Sequence, residues 1–371
     1  MQVGFKIKGK ILKSSKVKMV EKKEYLKERI RHLNVEEVRS IGELVEAMAY
    51  TSYQSRNLAK CYYAFKNMLM DPERPTVFLG LAGAMIPGGM RKVVRDMVAH
   101  NLVDVVVSTG ANLYHDFCEA VGVPPYVGSP HADDLELREL RVDRVYDTFL
   151  DEDELRKVDE LIYRMAEQLE PRVYSSREYL RELGSCLSDE ESVLYTAAKL
   201  DVPIFCPALN DSAIGIALAK YYLARKEAGE PTFTIDPIKD NVEITQIKMK
   251  SGKTGVFFVG GGVPKNYVQQ LSVALEIFGL PDKGHSYGIQ ITTDDPKWGG
   301  LSGCTFSEAQ SWGKFSRDAS KSIVYADATI ALPLLVGAIL QNCGEELKRR
   351  ERLKFVWDCD KLVRIERVRA V

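Results

Sequence analysis

Apolar positions change their period several times along the chain, and each change marks an element. Residues 1–33 are basic and weakly apolar. They predict an arm, solvated or docked on a neighbouring subunit, with a helix over 20–33. From Val35 to Met70 helix formers dominate, with Ile41, Leu44, Val45 and Met48 at helical spacing, until Asp71-Pro72 and Arg74-Pro75 end the run. TVFLGLAGAM, from Thr76, reads as a buried strand running into a Gly-rich turn. PGGMRKVVRDMVAHN follows as an amphipathic helix, VDVVVSTGAN as a second strand and LYHDFCEAVG as a short helix. Residues 129–200 are dense in charge and predict two or three surface helices, with Leu155, Val158, Leu161, Ile162 and Met165 as the buried stripe of the first. The strand–turn pattern resumes at VPIFCPALNDSAIG and again at KTGVFFVGGGVPKN, SYGIQITTD and SIVYADATIALPLLVGAIL. Strands alternating with helices predict an α/β protein with a parallel sheet and helices on both faces. The expected organisation is an arm and helices over 1–70, an α/β domain over 71–345 with a helical insertion at 129–200, and a basic tail over 346–371.

Composition narrows the class. The 371 residues are 45% hydrophobic and 28% charged, as in globular proteins. A net charge of −1 predicts no general affinity for nucleic acid or anionic membranes. No uninterrupted apolar run approaches the ~18 residues of a membrane span, and the basic N-terminus lacks the apolar stretch of a secretory signal. Seven cysteines without CxxC spacing predict a reducing cytoplasm, with neither a disulfide framework nor zinc. Five dispersed histidines predict no metal cluster.

Chemistry is expected where loops leave the carboxyl ends of parallel strands. Four such loops carry small or polar residues: 80–89, 108–112, 210–215 and 260–262. Gly260-Gly261-Gly262 follows an apolar strand and precedes a helix, which suits a phosphate contact or a tight turn. No GxGxxG fingerprint is present. Asp211 and Asp327 also follow strands; such carboxylates contact a ribose or adenine, or cap a helix. Lys314 lies two residues after Trp312 and six after Glu308. Desolvation beside an indole would free its amine as a nucleophile; otherwise it is a surface lysine lying along the ring. His115 is placed to move protons, or to make a structural hydrogen bond.

SEAQSWGKFSRDAS followed by VYADATIALPLL resembles the deoxyhypusine synthase family. TSYQSRNLA, TVFLGLAGAMIPGGMR, MVAHNLVDVVVSTGA, VPIFCPALNDSAIG and VFFVGGGVPKN extend the resemblance in order over residues ~40–340. The resemblance implies a Rossmann-like fold, a homotetramer with active sites between subunits, and NAD bound by the 71–345 domain. It implies oxidation of a polyamine at a secondary-amine carbon, passage of an aminobutyl group to an enzyme lysine as an imine, and collection by a second amine. By position Lys314 resembles the imine-forming lysine, Trp312 the substrate-chain tryptophan and Glu308 an amine-binding carboxylate. Thr109, Gly110, Asp211, Gly260, Gly261, Gly262, Thr293, Asp327 and Ala328 resemble NAD contacts.

The departures fall on the amine clamp. Where the family carries an Asp, an Asp-Ser pair, a His, a Glu-Glu pair and a Ser-Asn pair, this chain has Ile216, Leu301-Ser302, Asn266, Tyr114-His115 and Gly83-Ala84. Removing carboxylates leaves an ammonium of a polyamine poorly paired. The expected enzyme moves an aminoalkyl group between amines other than spermidine and a translation-factor lysine, with His115 as a proton shuttle or anion contact. The acceptor is a small amine or a protein lysine. A true deoxyhypusine synthase, a homospermidine synthase, and a silent tetramer that keeps NAD for regulation are the other readings. A dehydrogenase releasing its imine to water is a further one.

Overall fold

In the computed structural model, residues 22–300 and 304–369 are described. Six strands form the central sheet: β1 Thr76–Leu81, β2 Val105–Ser108, β3 Ile204–Phe205, β4 Thr254–Val259, β5 His285–Thr292 and β6 Phe315–Tyr325. All pairings are parallel, in the order β3-β2-β1-β4-β5-β6. The order reverses between β1 and β4, the switch point of a doubly wound, Rossmann-like sheet.

Successive side chains leave opposite faces, so one apolar run feeds two cores. Val77, Leu79, Leu81, Val106, Phe257 and Val259 join one cluster. Phe78, Val105, Val107, Val256 and Phe258 join the other. The first face is covered by α1 Ile41–Met48, α2 Tyr53–Met70, α3 Arg91–Ala99, α4 Gly110–Ala120, α5 Ala213–Glu227 and the apolar Ala328–Leu347. The second is covered by α6 Pro237–Lys250, α7 Gly262–Ile277 and α8 Phe306–Ser311. Ala328–Leu347 is α9, long and apolar enough by composition to cross a bilayer. Here Leu332, Leu335, Val336, Ala338 and Ile339 are buried in the protein's own core.

Several expectations change. Of the helix expected over 20–33, only Lys22–Tyr25 is helical among the described residues. The 129–200 segment is not a set of surface helices. Two of its strands, Thr148–Asp151 and Val142–Val145, form a small antiparallel sheet with Tyr126–Val127 just before it, beside helices Asp134–Glu139, Glu152–Ala166, Ser176–Ser185 and Val193–Lys199. The last two bury Tyr179, Leu180, Leu183, Val193 and Leu194, which the surrounding charge concealed. Leu161 is exposed, whereas Leu155, Val158 and Ile162 hold the expected stripe. The expected basic tail is a hairpin, Arg352–Asp358 with Lys361–Val368. Leu353, Phe355 and Leu362 are buried in the second core, and Gln246 of α6 accepts from Leu362 N at 2.9 Å.

Candidate active site

The carboxyl ends of β1, β4, β5 and β6 enclose a cleft of about 310 Å³. Gly260, Gly261, Gly262, Thr293, Asp327 and Ala328 line it together with Gly83 and Asp294. Gly260 sits at φ 70° and Gly262 at φ 54°, conformations that a β-carbon makes costly. A β-carbon on Gly260 would meet Ala82 Cβ at 3.2 Å. The loop therefore needs glycines to bring β4 directly into α7, whose first amides face the loop. Asp327 does cap a helix: it accepts from Thr329 N at 2.7 Å, and the Thr329 hydroxyl helps hold its carboxyl below the usual range.

Thr109 and Gly110 adjoin this cleft. Thr109 Oγ1 donates to the Gly83 carbonyl at 2.7 Å. Asn112, one turn on, accepts from Met85 N at 2.7 Å and ties the first loop to α4. Gly110 is packed so closely that a β-carbon would lie 2.4 Å from Ser212 Cβ. Asp211 is exposed beside Ser212, and it is Ser212 that caps α5. The predicted cofactor residues thus form one continuous rim, running from β3 across β2 and β1 to β6.

Lys314 lies elsewhere, in the turn between α8 and β6 on the second face. It is only 7% exposed, and its ammonium stands 5.7 Å from the centre of the Trp312 ring, which is itself 63% exposed. Thr305 caps α8 through Glu308 N at 3.0 Å. The Lys314 amide donates to Ala309 O at 3.1 Å, and its carbonyl accepts from His285 N at 2.9 Å. Short contacts on both sides of the residue fix the turn against β5. Trp312 and Lys314 are thus brought together, with Glu308 in the first turn of the adjoining α8.

His115 is not part of that cluster within this chain. Tyr114 and Phe117 of α4 join the first core, whereas the Lys314 turn covers the second. Asp116 anchors α4 firmly there, accepting from Ser192 Oγ at 2.7 Å and Arg91 Nε at 2.8 Å. Burial also lowers the His115 pKa from its usual value, which favours the neutral ring. Of the departure positions, Ile216 is exposed on α5, Asn266 is half-buried on α7, and Leu301 and Ser302 lie outside the described residues.

One residue escaped the sequence reading. Lys265 of α7 is buried, and its ammonium donates to Gln290 Oε1 at 2.9 Å and to the Cys304 carbonyl at 2.6 Å. Burial pulls its pKa from 10.5 down to about 8, with the charge on Lys314 adding to the fall. The available signal was its place one turn after the triple glycine.

A doubly wound α/β protein with a glycine-lined cleft at the switch point, and a buried lysine nearby, is the class defined here. The deoxyhypusine synthase family model matches residues 43–339. "Probable deoxyhypusine synthase 2" of Methanosarcina acetivorans is 48% identical over 324 residues, covering 86% of this chain and 92% of that protein. "Deoxyhypusine synthase-like protein" of Chlorobaculum tepidum is 43% identical over 324 residues, covering 86% and 91%. A solved structure from Entamoeba histolytica, proposed as a deoxyhypusine synthase, aligns with TM-score 0.57 at 19% identity over 83% of this chain and 96% of that one, a likeness of fold. The chain belongs to the deoxyhypusine synthase family, a family of transferases.

Proposed function

We propose that this protein is an NAD-dependent transferase that moves an aminoalkyl group from one amine to another through an imine on Lys314. The observation that carries the reading is the 7% exposed Lys314 beside the Trp312 ring, in a protein whose glycine-lined cleft stands at the switch point. The cleft suits NAD: the glycine backbone and the α7 amides would meet its diphosphate, and the rim from Asp211 through Thr109 would extend toward its adenosine. When bound, NAD would take a hydride from the carbon beside a donor nitrogen and later return it.

The chain's own residues supply the rest. The Lys314 amine attacks the carbon of the donor's C=N bond. The donor's departing nitrogen takes the proton that Lys314 sheds and leaves as a free amine, so the group is held as a lysine imine. The acceptor amine attacks the same carbon, and Lys314 recovers its free amine. Trp312 gives the alkyl chain an apolar wall, and Glu308 pairs with the far ammonium. Ile216 and Asn266 supply no carboxylate to a triamine, so the favoured donor has fewer or differently placed charges than spermidine.

The test is borohydride trapping with NAD and a panel of spermidine, putrescine, agmatine and amino-acid-derived amines. Mass spectrometry should find a donor-derived increment on Lys314, and its mass names the donor. Lys314→Arg should lose transfer entirely while NAD affinity stays within a few-fold. Full turnover by that variant would refute the assignment.

A further inference from the structure

A second cavity, of about 420 Å³, opens beside the carboxyl end of β3 and shares no lining residue with the glycine-lined cleft. Its walls are mainly apolar: Leu218 and Tyr222 come from α5, and Ile235 and Pro237 from the segment that leads into α6. Phe233 stacks on Tyr221 with ring centres 5.0 Å apart, and both rings line the cavity. One carboxylate lines it too, that of Asp240 on α6, which is 1% exposed. Asp240 Oδ1 accepts from Ser176 N at 2.7 Å, whereas Oδ2 has no hydrogen-bond partner among the described residues. The guanidinium of Arg177, the residue after Ser176, is committed to Glu243 at 2.8 Å and to the Trp357 ring. The other titratable groups around Asp240 are Glu243 on its own helix, Cys206 at the end of β3 and Tyr267 of α7, none of them a cation.

We propose that this cavity binds a compact organic cation with a flat apolar body, an ammonium or amidinium that pairs with Asp240 while its body lies against the Tyr221–Phe233 wall. A carboxylate buried this deeply is costly unless a donor and a counter-charge meet it. Capping the helix that starts at Ser176 occupies one of its oxygens and leaves the other unexplained. A ligand cation supplies both the donor and the charge. The rings add apolar surface and some attraction for the cation. An anion would meet the carboxylate, and a polyhydroxylated ligand would find too few polar partners along these walls. Apolar walls with one converging charge, in a volume of this size, are the form of a small-molecule site. Asn210 and Gly215 also line the cavity, so its occupant would touch the loop that carries Asp211. The site does not depend on the reading of Lys314.

Benzamidine is the cationic probe and benzamide its neutral counterpart of the same shape, each titrated calorimetrically into the full-length protein. Burial raises the Asp240 pKa to about 7, so at about pH 8 the carboxyl is ionised. Benzamidine should bind saturably and at least about tenfold tighter than benzamide. Asp240→Asn keeps the shape of the side chain, removes its charge and should abolish that preference. Ala219, on the exposed side of α5, also lines the cavity. Ala219→Trp leaves Asp240 in place, puts an indole against the cavity and should weaken benzamidine by more than about tenfold. It also serves as the test if the Asn variant does not fold. Failure of the wild-type protein to bind benzamidine, or equal affinity for the two probes, overturns the proposal. So does a preference that survives Asp240→Asn, or a benzamidine affinity unchanged by Ala219→Trp.

Discussion

At Gly262 the backbone stands at φ 54°, and a β-carbon there would meet nothing nearer than Pro264 Cδ at 3.9 Å. A side chain is therefore tolerated by the surrounding atoms but penalised by the backbone, by roughly 1–2 kcal/mol. Gly262→Val should fold with a modestly lower melting temperature. Its NAD affinity, measured by titration calorimetry, should fall by more than about tenfold, because the branched group occupies the side of the loop a diphosphate needs. Unchanged NAD binding would place the cofactor elsewhere. Lys314, Trp312 and Glu308 were legible in sequence because they are close neighbours in the chain, and a short turn keeps them together. Lys265 was not, because β5 and the segment around Cys304 bury it, and both are remote in sequence. Which face of the sheet the helix of His115 covers was not legible, because the sequence shows only that the helix follows a strand.

Among the elements, the C-terminal hairpin is joined to the start of the sheet by buried charge. Asp104, just before β2, accepts from Arg74 at 2.7 Å, lies 3.6 Å from Arg350, and accepts from Val77 N at 2.8 Å. Burial alone would raise this carboxyl, but Arg74 and Arg350 outweigh it and hold the pKa below the usual range. Removing one member of a buried network leaves the other charges uncompensated, at about 3–5 kcal/mol. Asp104→Asn should lower the urea midpoint accordingly. With a folded pKa below the unfolded value, the wild-type contribution is complete above about pH 4 and is lost as pH falls toward the folded pKa. The variant's deficit should shrink over that acidic range; a deficit independent of pH would count against the charge argument. Strands β1, β2 and β4 were readable because each is an apolar run ended by glycine or a small polar residue. The hairpin was not: Leu353, Phe355 and Leu362 alternate with charges, and the charges were read as a solvated tail. Helix α6 was missed because its buried positions, Ile244, Thr245, Ile247 and Lys248, mix apolar and polar types.

At the scale of the molecule, the proposed reading calls for subunits around the site. Trp312 and Ile216, 63% and 68% exposed, are large apolar groups left on the surface of the single chain. The stripe of α9 is mostly covered by the chain itself, with Ile330 left out. We propose a homotetramer, and light scattering at micromolar concentration should give about four times 41.7 kDa. A stable monomer would remove the basis for sites shared between subunits, including any role for His115 opposite Lys314.

The strand order has a consequence during synthesis. The sheet grows outward from β1, first toward β2 and β3, then toward β4, β5 and β6. Residues 82–253 must therefore leave the ribosome before β4 can pair with β1. At roughly 5–20 residues per second, that interval is about ten to thirty seconds. Throughout it, one edge of Thr76–Leu81, whose residues are all buried in the finished protein, stays open to whatever strand it meets. The nascent chain is most vulnerable to aggregation then, and a chaperone would have most to protect before Thr254 is made.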